Sequence, residues 1–148
     1  MTKNKVSILK LTAKDKWLQE AFAIRRKVFV VEQKVAEEEE YDEHEESATH
    51  FIALIDQHAV GTARWRFTND GIKLERFAVL KEYRGRGVGS ALLQSVLDDV
   101  RSVNKDGKKI YLHAQLDAIP FYSGFNFQMV GERFSECNIL HYKMQWLA

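Results

Sequence analysis

Apolar residues first recur at Val6, Ile8, Leu9 and Leu11, which reads as a short strand. Trp17, Leu18, Ala21, Phe22, Ile24, Val28 and Phe29 then follow at three- and four-residue spacing, the signature of an amphipathic helix over 14–31. Residues 37–46 break that rhythm with seven glutamates, Asp42 and His44, and the absence of an apolar period predicts a solvated loop. From Thr49 the pattern becomes β-like. Apolar stretches at 51–55, 59–67 and 72–80 are separated by a polar break at 56–58 and by Asn69-Asp70-Gly71, a hairpin signal, so they read as a three-stranded meander. Residues 85–104 place Val88, Leu92, Val96, Val100 and Val103 on one face of a second long helix, and 108–115 is β-rich. A helix between two strands of one sheet predicts parallel pairing with a right-handed crossover. Asp117 as N-cap and Gly124 as stop bracket a short helix over 117–123. Strands at 127–130 and 139–147 close the sheet, giving an α+β fold with a mixed central sheet of about seven strands flanked by helices.

Composition narrows the function classes. The chain has 148 residues, about one domain's length, and is read as a single domain over 1–148. With 22 Lys and Arg against 21 Asp and Glu the net charge is +1, too balanced for nucleic acid to be held by bulk charge. One cysteine, Cys137, excludes an internal disulfide and a thiolate metal cluster, and points to a reducing, cytoplasmic setting. The start at Met1–Lys5 is polar and no apolar run reaches the 18 or so residues that span a bilayer, so neither a signal peptide nor a membrane partner is expected.

The segment with most chemistry is Tyr83-Arg84-Gly85-Arg86-Gly87-Val88-Gly89-Ser90, which joins the end of an apolar strand to a helix. Alternate glycines expose backbone N–H groups, the helix N-terminus adds a positive dipole end, and Arg84 and Arg86 add charge, so the segment is suited to an anion such as phosphate. A Walker loop needs Gly-Lys-Ser/Thr, which is absent. A dinucleotide fingerprint needs a following strand that ends in an acidic residue, whereas this one ends His113-Ala114-Gln115.

Arg84-x-x-Gly87-x-Gly89 does resemble the acyl-CoA pyrophosphate loop of the GNAT superfamily of N-acetyltransferases. Two further features agree: Ala78-Val79 at the end of the preceding strand, and Ala118-Ile119-Pro120-Phe121-Tyr122 before Gly124-Phe125. The resemblance covers residues 6–147. Ile24 to Gln33, the acidic segment, Ala48-Thr49-His50, Glu75-Arg76 and His113-Ala114-Gln115 are similar to the ElaA-like (YjcF-like) branch. It implies acetyl-CoA as acyl donor and an amine acceptor. The histidines show no metal-ligand spacing, so no metal is expected, and the chain is expected as a monomer or homodimer. The competing class is a CoA-binding sensor or interaction module that keeps the loop without catalysis.

Acetyl transfer needs a neutral amine, so a carboxylate or a water it holds must take a proton. Glu75, two residues before Phe77 on the strand leading to the loop, is one candidate base; pairing with Arg76 or another cation is the alternative. The resemblance further implies that pantetheine runs along Phe77, Ala78 and Val79, and that a backbone N–H near Val79 holds the oxyanion. It implies Tyr122 as the acid for the departing thiolate, and Gln115 in place of an Asn that bonds the cofactor arm. Phe121 beside Tyr122 is expected to fill the core. Arg25, Glu32 and Gln33 are implied as one wall of the acceptor groove. His50, His113 and His141 all fall in predicted strands and could converge to position the acceptor or act as a base. Cys137, in a loop between the last two strands, is either a reactive thiol or a spectator.

Overall fold

The computed structural model describes residues 5–12 and 14–148; of the polar start at Met1–Lys5, all but Lys5 lies outside the described residues. Seven strands form one mixed sheet: β1 (Val6–Leu11), β2 (Thr49–Ile55), β3 (His58–Thr68), β4 (Gly71–Val79), β5 (Ile110–Gln115), β6 (Phe127–Glu136) and β7 (Ile139–Trp146). Their spatial order is β1-β2-β3-β4-β5-β7-β6. Among the described residues only β4 and β5 pair in parallel, and α3 (Val88–Val103) makes the crossover between them. The α+β class and the parallel step are therefore as the apolar pattern predicts.

Both faces of the sheet centre are covered. On one, Val88, Leu92, Val96 and Val100 of α3 are fully buried against Ala53, Ile55, Val60, Ile72 and Leu74. Burying each such aliphatic side chain stabilises by roughly 1.5–3 kcal/mol. Val103, at the end of the stripe, lies outside this core and is exposed. On the opposite face α1 (Trp17–Arg25) packs Ala21 on Ile52 and Leu54. A strand covered on both faces has no polar side, which is why β2 reads as a continuous apolar run.

Four local expectations are corrected. The first helix begins at Trp17 and from Arg26 to Glu32 widens into a π-helix, in which the Gln33 N–H donates to the Val28 carbonyl five residues back at 3.0 Å. Val28-Phe29-Val30-Val31 carries no 3.6-residue period, and π geometry buries Val28 while Val31 stays exposed. Residues 37–46 are only in part a solvated loop: Glu37, Glu38, Glu39, Glu43 and Glu46 are exposed, but 37–40 form α2 (Glu37–Glu40) and Glu40 is 2% exposed. Asp117 does not cap a helix. It sits in a 3₁₀ turn, Leu116–Ala118, and α4 (Ile119–Ser123) starts from Ala118 with Pro120 in its first turn, while Gly124 keeps right-handed backbone angles. Finally, β6 continues through Glu136 because a register shift between Val130 and Phe134 absorbs the polar Gly131-Glu132-Arg133.

Candidate active site

The site originates in a fault in β4. Up to Glu75 the strand alternates normally, with Ile72 and Leu74 in the core under α3 and Lys73 and Glu75 on the opposite face. Arg76 then adopts φ +60°, and the register with β3 slips between Thr62 and Arg64. One extra residue flips the side-chain parity: Phe77 and Val79 now join the α3 face, and Ala78 packs on Ile24 and Val28 beneath the first helix. Across from this bulge, β5 pairs with β4 only from Ile110 to Leu112, opposite Ile72 to Leu74. Beyond that point the two strands part, and β4 presents an edge without a strand partner. The cleft has a volume of about 940 Å³.

At its open end lies the glycine loop. Gly85 and Gly87 have φ of +79° and +82°, a left-handed backbone that a β-carbon would strain, and space around both is open. Gly87 is the N-cap of α3 and makes no side-chain cap, so the first N–H groups of a 16-residue helix face the cleft without an internal partner. Gly85, Gly87, Val88, Gly89 and Ser90 line the cleft together with Phe77, Ala78 and Val79. Arg84 lines it too. Its Nη1 and Nη2 each donate to a Glu32 carboxylate oxygen at 2.7 Å and its Nε to the Val79 carbonyl at 3.0 Å. Arg86 does not line the cleft; its guanidinium sits 5.2 Å from the Tyr83 ring.

Tyr122 of α4 reaches the same cleft. It is 9% exposed, edge-on to Phe77, and burial pushes its phenol above the ordinary range, so it is protonated at every physiological pH. Phe121 packs half-buried against the core beside Tyr122 and Phe125, and its outer edge lines the cleft against Gly89. Gln115 does not hang free: its Nε2 donates to Gln33 Oε1 at 2.8 Å, a bridge from β5 to the end of the π-helix.

Several polar residues belong elsewhere. Arg25 is 1% exposed and is absent from the cleft wall, because its Nε donates to Glu40 Oε1 at 2.6 Å and its Nη1 and Nη2 to Glu45 at 2.8 and 2.6 Å. Arg64, fully buried on β3, holds Asp42 at 2.6 Å, Glu45 at 2.8 Å and Glu75 at 2.5 Å. His50 lies in this network with Nε2 2.8 Å from the Glu45 carbonyl, and it does not converge with the other two histidines. Burial pushes its pKa down, so it is neutral near pH 7. The acidic segment therefore neutralises arginines that the sheet buries. None of Asp42, Glu45 and Arg64 stood out in the sequence. The signal was Arg64 itself, a charge inside an apolar strand that requires partners, with the densest acid run 18 residues upstream of it ending at Glu46.

Glu75 also departs from the role of a free base. It lies in the cleft wall, yet its carboxylate meets Arg64, Arg66 at 2.8 Å and Lys73 at 3.4 Å. Burial would raise its pKa, but Arg64, Arg66, Lys73 and Arg76 together outweigh burial and lower it. A carboxylate so held is a weak proton acceptor.

His113 and His141 do meet, through Glu136, which the sequence did not single out. His113 Nδ1 is 3.3 Å from Glu136 Oε1 and His141 Nε2 is 3.8 Å from Oε2, and all three line the cleft. The hydrogen bond from His113 leads in holding the Glu136 carboxyl down to about 2, helped by Lys73 and opposed by burial. Cys137 occupies the β6–β7 turn, where burial, Glu39 and Glu136 push the thiol up to about 11, which favours the spectator reading. Among the described residues no three His, Cys, Asp or Glu side chains gather as a metal site, and no helix is long and apolar enough to cross a membrane.

Comparison with known proteins accounts for this geometry. An acetyltransferase (GNAT) domain model matches residues 12–148. YjcF of Bacillus subtilis (strain 168), named as an uncharacterized N-acetyltransferase, is 35% identical over 128 residues, covering 86% of this chain and 90% of its own length. Escherichia coli ElaA superimposes with a TM-score of 0.83 at 26% identity, over 97% of this chain and 99% of its own. An acyl-CoA N-acyltransferase from Pseudomonas aeruginosa does so with a TM-score of 0.82 at 25% identity, over 98% and 100%. A parted β4–β5 pair, a glycine loop at its mouth and a family match over nearly the whole length make this chain a GNAT acetyltransferase of the ElaA/YjcF-like kind.

Proposed function

We propose that this enzyme transfers an acetyl group from acetyl-CoA to a primary amine of a small molecule or protein. The observation that carries the reading is the parted β4–β5 pair with the uncapped end of α3 at its mouth. A pyrophosphate set against residues 84–90 receives N–H donors and a helix dipole, and a pantetheine arm then replaces the missing strand along Phe77, Ala78 and Val79. The arm is an extended amide chain, so it satisfies backbone groups that β5 leaves unpaired. Its thioester end then lies deep in the cleft, where a β4 N–H near Val79 donates a hydrogen bond to the developing oxyanion. Tyr122, kept protonated by burial, supplies the proton to the departing sulfur. Gln115 and Gln33 border the arm on the β5 side, and Glu32 and Gln33 border the acceptor.

The test is release of free thiol from acetyl-CoA with a panel of amines, paired with calorimetric titration of CoA. Turnover with at least one amine is expected, and Gly87→Glu should abolish CoA binding by adding charge and a β-carbon at φ +82°. Binding without turnover on any amine would instead support the sensor or interaction module.

A further inference from the structure

An aliphatic acceptor amine is protonated at neutral pH, and Glu75 is tied to three cations, so the acceptor's proton needs another destination. The apex of the parted strands offers one. Leu112 is the last residue of β5 that pairs with β4, so His113 is the first residue past the fork. An acyl arm entering from the glycine loop must stop there.

His113 is held for proton transfer. Its Nδ1 faces the Glu136 carboxylate at 3.3 Å, and a carboxylate only accepts, so the hydrogen sits on Nδ1 and leaves the Nε2 lone pair available. His141 stands behind: its Nδ1 donates to the Ile139 carbonyl at 2.7 Å, and its Nε2 lies 3.8 Å from the other Glu136 oxygen. Phe134 wedges between the rings, edge-on to His113 at 4.9 Å and stacked on His141 at 5.8 Å. The bulge in β6 brings Phe134 and Glu136 to this position. The charges around the cluster are Lys73 on β4, Lys143 on β7 opposite His113 in register, and Glu39 of α2 beside Cys137. Lys143 is drawn away by Asp70 and the Tyr111 ring, and Lys73 by Glu75.

Resting on the acetyl-transfer reading above, we propose that His113 is the general base for a cationic primary amine, with Glu136 fixing its tautomer and drawing the ammonium in, and His141 as a positioning residue. His113 Nε2 takes one proton from the ammonium and passes it to solvent. The neutral amine forms the C–N bond, the C–S bond breaks, and the nitrogen's second proton ends on the CoA sulfur by way of Tyr122. The products are an amide, free CoA thiol and one released proton.

The experiment is the pH dependence of kcat/KM for H113Q and E136Q on an amine that the wild-type enzyme acetylates, with CoA affinity and melting temperature measured for each. Wild type should level off above an acid limb. H113Q should lose about 10²- to 10⁴-fold at pH 7 and then rise about tenfold per pH unit towards the amine's own pKa, with CoA affinity unchanged. E136Q should move the acid limb to lower pH with a reduced plateau, because the imidazolium loses its anion. H113Q keeping the wild-type limb and plateau, or E136Q leaving the limb in place, overturns this assignment while leaving acetyl transfer intact. A wild-type enzyme inert towards every amine overturns both. Should H113Q unfold, the shift of the limb in E136Q decides alone.

Discussion

Glu75→Gln separates a structural carboxylate from a catalytic one. The wild-type side chain is 8% exposed and meets Arg64, Arg66 and Lys73. Removing one partner of a buried ion pair costs about 3–5 kcal/mol because it leaves uncompensated charge. Two features place this site at the low end: glutamine still offers an acceptor oxygen to Arg64, and Arg64 retains Asp42 and Glu45. A loss of about 3 kcal/mol in a domain of this length lowers Tm by roughly 6–12 °C. Thermal unfolding followed by circular dichroism at pH 7 reads it directly, alongside amine acetylation between pH 7 and 10. The structural role predicts the fall in Tm and an activity deficit that is the same at every pH. A Tm within 2 °C of wild type, joined to a rate deficit that vanishes as pH rises, would refute it and restore Glu75 as the base.

Tyr122→Phe removes one hydroxyl and should lower kcat by about 10²- to 10⁴-fold with CoA affinity unchanged; unaltered turnover would make Tyr122 a packing residue only. Glu32→Gln frees Arg84 from an exposed pair worth at most about 1 kcal/mol, so calorimetry should find CoA bound up to about fivefold more tightly, and weaker binding would show that Glu32 shapes the loop. Asp42, Glu45 and Glu75 all have pKa values lowered in the folded state against burial, chiefly by arginines, so their contribution is complete above the usual carboxylate range and lost as pH falls through the lowered values. Glu40, which burial pushes up, opposes this as one group against three. His50, whose pKa burial lowers, adds a loss that begins as the unfolded chain takes up a proton below about pH 6.5. The urea midpoint should therefore be flat from about pH 7 to 8, ease off below about pH 6.5 and drop further below about pH 4, and a midpoint that holds steady to pH 3 would contradict the network.

The sequence by itself determined what depends on near neighbours along the chain. Apolar spacing located all seven strands and both long helices, because helix and strand periods are set by local backbone geometry. The glycine loop was legible for the same reason: left-handed backbone at Gly85 and Gly87 and a helix start at Val88 are requirements of adjacent residues. Tertiary structure decided the rest. No local pattern tells that Arg25 and Arg64 draw Glu40, Asp42 and Glu45 inward, since those pairs span 15 to 22 residues and exist only because β2, β3 and the first helix are stacked. One inserted residue at Arg76 reversed the faces of Phe77, Ala78 and Val79, a shift that alternation alone does not reveal. The three histidines look equivalent along the chain, yet strand order puts His50 on β2 beside the arginines and sets His113 and His141 on adjacent β5 and β7. Glu136 reaches them only through a register shift in β6. Periodicity is a property of a segment, whereas a charge finds its partner through sheet order and register, which are fixed only when the whole chain packs.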